Sequence, residues 1–204
     1  LIGGAGGIGS WLTFFLARIG FSPIVYDYDV IEAHNLGGQL FRKVDIGKLK
    51  VLALADITRD FCGTEITVFT EKIDLNSPTH YFMFSAFDNM LARKEAFEVW
   101  KKSIPNCPVT PIFIDGRLEL EQLQIFAVTP DKIAEYEAHL FDDSLVEDLP
   151  CTLKQSSHTA AMIATHMVGI FTNHITNLYS RRNIRNVPFY YEFYTPMTLT
   201  TLID

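Results

Sequence analysis

The stretch Gly4-Ala5-Gly6-Gly7-Ile8-Gly9-Ser10 follows a short apolar segment and precedes a helical pattern of apolar residues that begins at Trp11. This order predicts a strand, a glycine turn and a helix from Ser10 to about Ile19. Gly4, Gly6 and Gly9 match G-x-G-x-x-G, in which glycines allow a tight turn, a close approach of backbone to phosphate and close helix packing. The helix N-terminus would attract the anion. Because glycine turns also arise for steric reasons alone, the residues that follow decide the case.

A carboxylate follows at the spacing of a dinucleotide-binding unit. The run Pro23-Ile24-Val25-Tyr26 predicts a short buried strand, and Asp27 ends it, 18 residues after Gly9. In a dinucleotide unit, this carboxylate binds the ribose hydroxyls. An acid at a strand end could instead cap a loop, but the preceding glycine turn makes ribose binding the better interpretation.

The rest of the first half alternates strands with helices. We predict a polar loop over residues 29–46, which contains Gly37-Gly38. The alternation predicts an α/β, Rossmann-like, mostly parallel sheet with helices on both faces. Ligands bind at the carboxyl ends of such strands, where we expect Asp27, Asp88 and Asp115. The predicted elements are a helix over about 47–59, strands over 65–69 and 81–86, a helix from 88–89 to 100, and a strand over 111–114 that ends at 115–116.

The pattern changes after Arg117. The two predicted strands at the end read as an antiparallel hairpin at the sheet edge. We therefore expect one domain over residues 1–204, with a parallel half over about 1–117 and a more antiparallel, mixed half over about 118–204. Because the chain begins inside its first strand, we also expect residues upstream. The elements predicted here are a strand over 123–128, a short helix over 130–140, an acidic loop over 141–150, a long helix over 156–179, and strands over 189–194 and 197–203.

Composition narrows the function classes. The chain has 204 residues of which 48% are hydrophobic, so a sizeable core is expected. The net charge of −7 argues against a general nucleic-acid surface or an anionic-membrane surface. The apolar helix near the end is interrupted by His158, His166 and His174, which argues against a membrane span. We expect no nucleic-acid partner and no membrane partner.

The three cysteines are single and widely spaced: Cys62, Cys107 and Cys151. They provide neither a disulfide framework nor a CxxC zinc pair. A reducing, cytoplasmic location is therefore the simplest expectation.

At this point the chain resembles the ThiF/MoeB-type adenylyltransferases of the ubiquitin-activating enzyme superfamily. The resemblance depends on several motifs that occur in the family's order. They are G-x-G-G-I-G-S at 4–10; Asp27-Tyr28-Asp29-Val30 followed by Asn35-Leu36 and Gln39; Asp45-Ile46-Gly47-Lys48-Leu49-Lys50; and Ala86-Phe87-Asp88-Asn89 with Ala92-Arg93.

The resemblance implies an ATP-dependent enzyme that converts the C-terminal carboxylate of a ubiquitin-like or sulfur-carrier protein into an acyl-adenylate. The implied cofactors are ATP and Mg²⁺. Lys50 would face phosphate, Asp27 the ribose, and Asp88 the magnesium ion as catalytic and metal-binding residue. Simpler alternatives are open: Lys50 could be a solvated helix charge, Asp88 could be only a helix cap, and Asn35 and Gln39 could stabilise their own loop. The implied nucleotide-binding residues are Gly4, Gly6, Gly7, Gly9, Asp27, Asp29, Asn35, Gln39, Lys50 and Asp88.

Two departures from the family pattern stand out. Gly38 occupies the position where active members usually carry an arginine that contacts the triphosphate. Three explanations are open: Arg42 takes over the catalytic contact, a partner donates a cation across a dimer, or the chain is a catalytically weak relative. The family's two CxxC pairs have no equivalent, so we expect no zinc.

Cys151 is a further candidate catalytic residue. In the family, this region can hold a cysteine that takes the activated carrier as a thioester. Lys154 and a helix beginning near Ser156 could lower the pKa of its thiol. The alternative is an incidental cysteine.

Two other functions are open. An NAD-dependent Rossmann dehydrogenase would use the glycine loop and Asp27 equally well, but it needs neither Lys50 nor Asp88. A non-catalytic ThiF-like subunit or scaffold is favoured by Gly38. The expected partners are a small ubiquitin-like or sulfur-carrier protein and, for assembly, a second copy in a homodimer or a paired ThiF-like subunit.

Overall fold

The computed structural model describes residues 1–119, 122–141, 156–180, 182, 184–195 and 199–203. The strands are β1 (Ile2–Gly3), β2 (Ile24–Tyr26), β3 (Thr67–Phe69), β4 (Phe82–Ser85), β5 (Ile112–Glu119), β6 (Gln122–Val128), β7 (Tyr190–Tyr194) and β8 (Leu199–Ile203). The helices are α1 (Gly7–Arg18), α2 (Lys50–Cys62), α3 (Met90–Lys101), α4 (Ile133–Glu137) and α5 (Ser157–Tyr179).

Within these residues, eight strands form one sheet in the order β3-β2-β1-β4-β5-β6-β7-β8. The first five positions of that order are paired in parallel, and β5 to β8 are paired antiparallel. This arrangement confirms the predicted Rossmann-like α/β fold with its more antiparallel C-terminal half, including the hairpin of β7 and β8 at the sheet edge.

Helices cover both faces of the sheet, and each face has its own apolar core. One core lies under α1, α2 and α5 and contains Leu12, Leu54 and Met167. The other lies under α3 and α4 and contains Phe97 and Tyr136. Among the described residues, no helix is long and apolar enough to span a bilayer.

Three boundaries differ from the sequence prediction for local reasons. Helix α1 begins at Gly7, several residues before the expected Ser10, because the glycines themselves form its first turn. Helix α2 begins at Lys50 because Gly47 has φ +89° and its N–H donates to the carbonyl of Ile31. Strand β5 continues past Asp115 to Glu119 because β6 pairs with it along that extension.

Backbone hydrogen bonds join the two ends of the loop between β2 and α2. The N–H of Ile31 donates to the carbonyl of Lys48, and the N–H of Lys50 donates to the carbonyl of Asp29. Inside the loop, buried Asp45 accepts two hydrogen bonds from the Arg42 guanidinium, at 2.8 and 3.1 Å, and one from Lys48 at 2.9 Å. The bonds from Arg42 are the main reason that the pKa of Asp45 falls to about 2. Two short 3-10 turns, Ala33–Gly37 and Lys43–Asp45, complete this 29–49 loop.

Candidate functional site

A cleft of about 320 Å³ opens at the carboxyl ends of β1, β2, β3 and β4. The strand order reverses between β1 and β4, which is where ligands bind in open α/β sheets. The cleft lining contains most of the residues singled out in the sequence: Gly4, Gly6, Gly7, Asp27, Asp29, Asn35, Gln39, Lys50 and Asp88.

The glycine loop leaves the N-terminus of α1 open toward the cleft. Gly4 has φ +92°, a conformation that side chains disfavour, and it turns the chain sharply from strand to helix. A Cβ at Gly9 would overlap the carbonyl oxygen of Gly4, so only glycine lets α1 start this close to the loop. No side chain caps the helix and its first turn holds no acid. Its N–H groups and positive dipole end therefore suit an anion.

Asp27 fastens the glycine loop to the end of β2. Its carboxylate accepts a hydrogen bond from the N–H of Ala5 at 2.7 Å and another from the N–H of Asp29 at 2.8 Å. Burial raises the pKa of Asp27, against the opposing effects of the Ala5 hydrogen bond and the Lys50 charge. A carboxylate oxygen accepts more than one hydrogen bond, so Asp27 can shape the loop and still accept from a ribose hydroxyl in the cleft that it lines.

Lys50 is buried at the start of α2, and the interpretation of a solvated helix charge does not apply to it. Its ammonium lies 2.7 Å from the carboxylate of Asp29, and its side chain is only 9% exposed. Both residues line the cleft. An ammonium paired with one exposed carboxylate is able to exchange that partner for a phosphate oxygen.

The 29–49 loop delivers amide groups to the cleft. Asn35 uses its carbonyl oxygen to accept from the N–H of Glu32 at 2.8 Å, which stabilises its own turn. The side-chain oxygen of Gln39, in contrast, is buried and has no hydrogen-bond partner within the described structure. A buried acceptor without a partner is costly, so it suits a ligand that brings a donor such as a hydroxyl or an amine.

Helix α1 holds this loop over the glycine turn. The indole N–H of Trp11 donates to the carbonyl of Gly38 at 3.1 Å, and the N–H of Leu40 donates to the Ser10 hydroxyl at 3.0 Å. Gly38, at the family's arginine position, is a cleft residue. The cationic side chains lining the cleft in the described part of the chain are Lys50 and Lys72, with the titratable His34 beside them.

Asp88 is exposed at the cleft, and it does not cap α3. The cap is Asn89, whose side-chain oxygen accepts from the N–H of Ala92 at 2.9 Å. One oxygen of Asp88 accepts from the Asn89 side-chain amide at 3.2 Å. The Asp88 carboxylate therefore remains available for a cation.

Three of the residues singled out in the sequence are described by the structure but are not part of the cleft lining. Gly9 is inside α1. Arg42 pairs with Asp45 and, at 3.5 Å, with Asp60, and it is not part of the cleft lining. Asp115 is level with the ends of β1 and β4, as expected, but it is fully buried. Cys151 lies outside the described residues.

Sequence reasoning missed the apolar part of the cleft. Ile73 and Phe87 line it, together with Tyr28, whose ring lies 4.9 Å from the ammonium of Lys72. The available signal was topological, because these residues come shortly after β2, β3 and β4 and so gather at one edge of the sheet.

Comparison with known proteins adds the family. The chain matches the ThiF family over residues 1–198. It is a member of the ThiF family. No curated protein matches it.

Solved structures share the fold of this ThiF-family chain. E. coli MccB superposes with a TM-score of 0.75 at 16% identity, over 100% of this chain and 61% of MccB. MccB with ATP gives 0.73 at 15%, over 100% and 62%. PaaA gives 0.68 at 18%, again over 100% and 62%. The chain thus spans less than two thirds of the length of these proteins.

The features of the cleft suit an anionic, phosphate-bearing ligand. The open helix N-terminus and Lys50 suit phosphates, and the unpartnered oxygen of Gln39 suits a donor on the ligand. Among the described residues, no three His, Cys, Asp or Glu side chains gather into a metal site. Mg²⁺ commonly uses one or two carboxylates plus substrate phosphates, and Asp88 would be the carboxylate here.

Proposed function

We propose that this chain is an adenylyltransferase, which uses ATP to convert a carboxylate into an acyl-adenylate. The observation that carries the proposal is the convergence of the open α1 N-terminus, Lys50, Asp27 and Asp88 in one cleft. Membership of the ThiF family and the likeness to MccB, which has been solved with ATP, support it.

In the proposed reaction, one bond to the α-phosphorus of ATP forms and one breaks. A substrate carboxylate oxygen attacks the α-phosphorus of ATP, and the bond from that phosphorus to the bridging oxygen breaks. Pyrophosphate leaves with the electron pair. The residues contribute position and charge, since the helix N-terminus and Lys50 stabilise the phosphate oxygens while Asp27 orients the ribose. Mg²⁺, held by Asp88 and phosphate oxygens, would neutralise the leaving pyrophosphate.

We propose that the substrate carboxylate belongs to a small protein or a peptide. Support comes from MccB, which has been solved in complex with N-formylated MccA. The ubiquitin-like and sulfur-carrier proteins implied by the sequence resemblance belong to this substrate class. We also propose that the protein acts in the cytoplasm and that it assembles as a homodimer.

Gly38 favours a second candidate function, that of a catalytically weak ThiF-like subunit. In this alternative the cleft binds ATP, but it lacks a cation near Gly38 that an active partner subunit would supply. The arrangement of Arg42, whose guanidinium is held by Asp45, supports this alternative over a shifted arginine. The dehydrogenase alternative has less support, because a nicotinamide cofactor needs neither Lys50 nor Asp88.

The decisive test is ATP–pyrophosphate exchange with MgCl₂ and a panel of carriers and peptides that end in a free carboxylate. We expect exchange that is lost in Lys50→Met and Asp88→Asn. Lys43→Met is the matched control, because Lys43 is an exposed lysine outside the cleft lining. ATP binding without exchange across the panel would support the weak subunit, and NADH binding without ATP binding would refute both candidates.

A further inference from the structure

A buried ion-pair network lies directly behind the segment that carries Asp88. The Arg93 guanidinium, on α3, donates to the carbonyl of Phe87 and to the carboxylate of Asp115. It also donates to the carbonyl of Gly116 at 2.9 Å. The side chain of Arg93 is 7% exposed and that of Asp115 is not exposed at all. One guanidinium therefore ties the residue before Asp88 to the middle of β5.

A second layer of contacts keeps Asp115 ionised beside Arg93. The other carboxylate oxygen of Asp115 accepts from Arg117 at 2.8 Å and from the Tyr136 hydroxyl at 3.0 Å. Burial alone would raise the pKa of Asp115, but the charges of Arg93 and Arg117 outweigh burial and keep that pKa below its usual range. Asp115 therefore stays ionised and holds the Arg93 fork in one orientation.

The rest of the segment is fixed from its other side. The N–H of Ala86 donates to the carbonyl of Gly3 at 2.9 Å. The Phe87 ring packs so closely on the end of β1 that a Cβ at Gly3 would overlap it. Asn89 is held by its capping bond to Ala92. Asp88 thus lies between immobilised neighbours while its own side chain stays exposed at the cleft.

We propose that Arg93 is a positioning residue that, through the carbonyl of Phe87, aims the Asp88 carboxylate at the cation of the bound nucleotide. Asp115 serves as the buried counter-charge that keeps Arg93 in place. The role of Asp88 rests on the proposed function, whereas the holding of the segment by Arg93 does not.

The network offers a matched pair of substitutions. Arg93→Lys keeps a positive charge beside Asp115, but a single ammonium lacks the planar fork that reaches Asp115, Gly116 and Phe87 together. Arg117→Lys also keeps a charge beside Asp115, and Arg117 contacts the carbonyl of His139 rather than that of Phe87. A general loss of packing would affect both variants, whereas the positioning role is specific to Arg93.

Hydrogen exchange in the nucleotide-free protein tests the holding of the segment. We expect the amides of residues 86–92 to exchange about tenfold faster in Arg93→Lys, because the local opening free energy falls by about one charged hydrogen bond. In Arg117→Lys, these amides should keep their wild-type rates. Equal exchange in the two variants would overturn the proposal, whether or not the protein binds ATP.

Calorimetric titration with ATP tests the consequence for the cation. In MgCl₂, Arg93→Lys should bind ATP about tenfold more weakly than wild type, as expected when the residue behind a metal ligand is changed. In EDTA the two proteins should bind alike, and Arg117→Lys should match wild type in both buffers. An Arg93→Lys loss that is the same in MgCl₂ and EDTA would overturn the proposal.

A second variant tests whether misfolding of Arg93→Lys could explain the weaker binding. Arg93→Gln removes one charge, and Asp115 keeps Arg117 and Tyr136 as partners, so no unpaired charge is left in the interior. It should show the same magnesium-dependent loss, and a wild-type response would overturn the proposal. Wild-type protein that binds no ATP would refute the proposed function. If the hydrogen-exchange result is nevertheless as expected, the conclusion that Arg93 holds the segment remains valid.

Discussion

At the residue scale, the ion pair of Lys50 and Asp29 links the charge of the cleft to ligand binding. The ammonium that suits a phosphate already contacts a carboxylate at 2.7 Å, and that carboxylate is half exposed. A triphosphate would have to displace Asp29 from Lys50 and would also be repelled by it. In the absence of nucleotide, Asp29 therefore acts as a competing anion.

Removing this competitor should tighten nucleotide binding. We expect Asp29→Asn to bind ATP several-fold more tightly, since a like charge at a partly exposed site is worth on the order of 1 kcal/mol. Calorimetric titration at low salt measures the change, and Asp56→Asn, on the outer part of α2, is the control. Weaker binding in Asp29→Asn would mean instead that Asp29 contacts the nucleotide, as the family resemblance implies.

The unpartnered oxygen of Gln39 predicts opposite effects on stability and binding. Gln39→Leu removes a buried acceptor without a partner, so the free energy of unfolding should stay level or rise by up to about 1 kcal/mol. ATP binding should weaken, because the ligand loses the acceptor. Chemical denaturation gives the first quantity and titration the second. A variant that is clearly less stable than wild type would show that Gln39 supports the fold.

At the element scale, different glycines of the loop serve the packing of α1 and the access of a ligand. Gly9 lies against the carbonyl of Gly4, whereas a Cβ at Gly6 would have open space around it. Gly6 is also part of the cleft lining and Gly9 is not. The two glycines of one motif therefore have different tasks.

Alanine substitutions should separate these tasks. Gly9→Ala should lower the free energy of unfolding by about 3 kcal/mol, because a methyl group is forced against backbone. Gly6→Ala should change unfolding by less than about 1 kcal/mol, since Gly6 already has φ −76°, but it should weaken ATP binding by filling the approach to α1. Thermal unfolding with and without ATP distinguishes them, and equal unfolding of both variants would contradict this assignment.

The elements show what a sequence can and cannot predict. The glycine loop, Asp27, Lys50 and Asp88 were predictable because each directly follows a strand or begins a helix, and parallel strands bring such positions to one edge. The partners of Asp29 and Arg93 were not predictable, because Lys50 and Asp115 come from distant parts of the sequence. The Arg93–Asp115 pair joins α3 to β5, and no local pattern records that contact.

At the scale of the whole molecule, β5 is where the two halves of the sheet meet. It pairs in parallel with β4 and antiparallel with β6. Asp115 lies on β5 beside the end of β4, so the buried network connects the cleft half to the antiparallel half. The sequence predicted the change in architecture near Arg117, but it could not predict that one continuous strand serves both halves.

The stability of the molecule should depend on pH through Asp45. Its folded-state pKa is about 2 against an ordinary value of 3.8, so its contribution is present above pH 3.8 and is lost as the pH falls through about 2. Asp45→Asn should lower the free energy of unfolding by roughly 2 kcal/mol at neutral pH, and the difference should vanish near pH 2. Denaturation at several pH values measures this.

Asp60→Asn is the control for that series. Asp60 also contacts Arg42, at 3.5 Å, but its side chain is about half exposed. Its removal should change the free energy of unfolding by less than about 1 kcal/mol at every pH. If the two variants behaved alike, the Asp45 interactions would not be what holds the 29–49 loop.

The hydrogen bond from Trp11 to Gly38 gives the molecule an optical reporter. The chain has two tryptophans. Trp100 is completely buried, and its indole N–H donates a hydrogen bond to the carbonyl of Tyr81. Trp11 is half-buried, and its indole N–H touches the loop that borders the cleft. The emission wavelength of indole depends on local polarity and hydrogen bonding. In a Trp100→Phe background, the emission wavelength of Trp11 would therefore report movement of the 29–49 loop as it occurs.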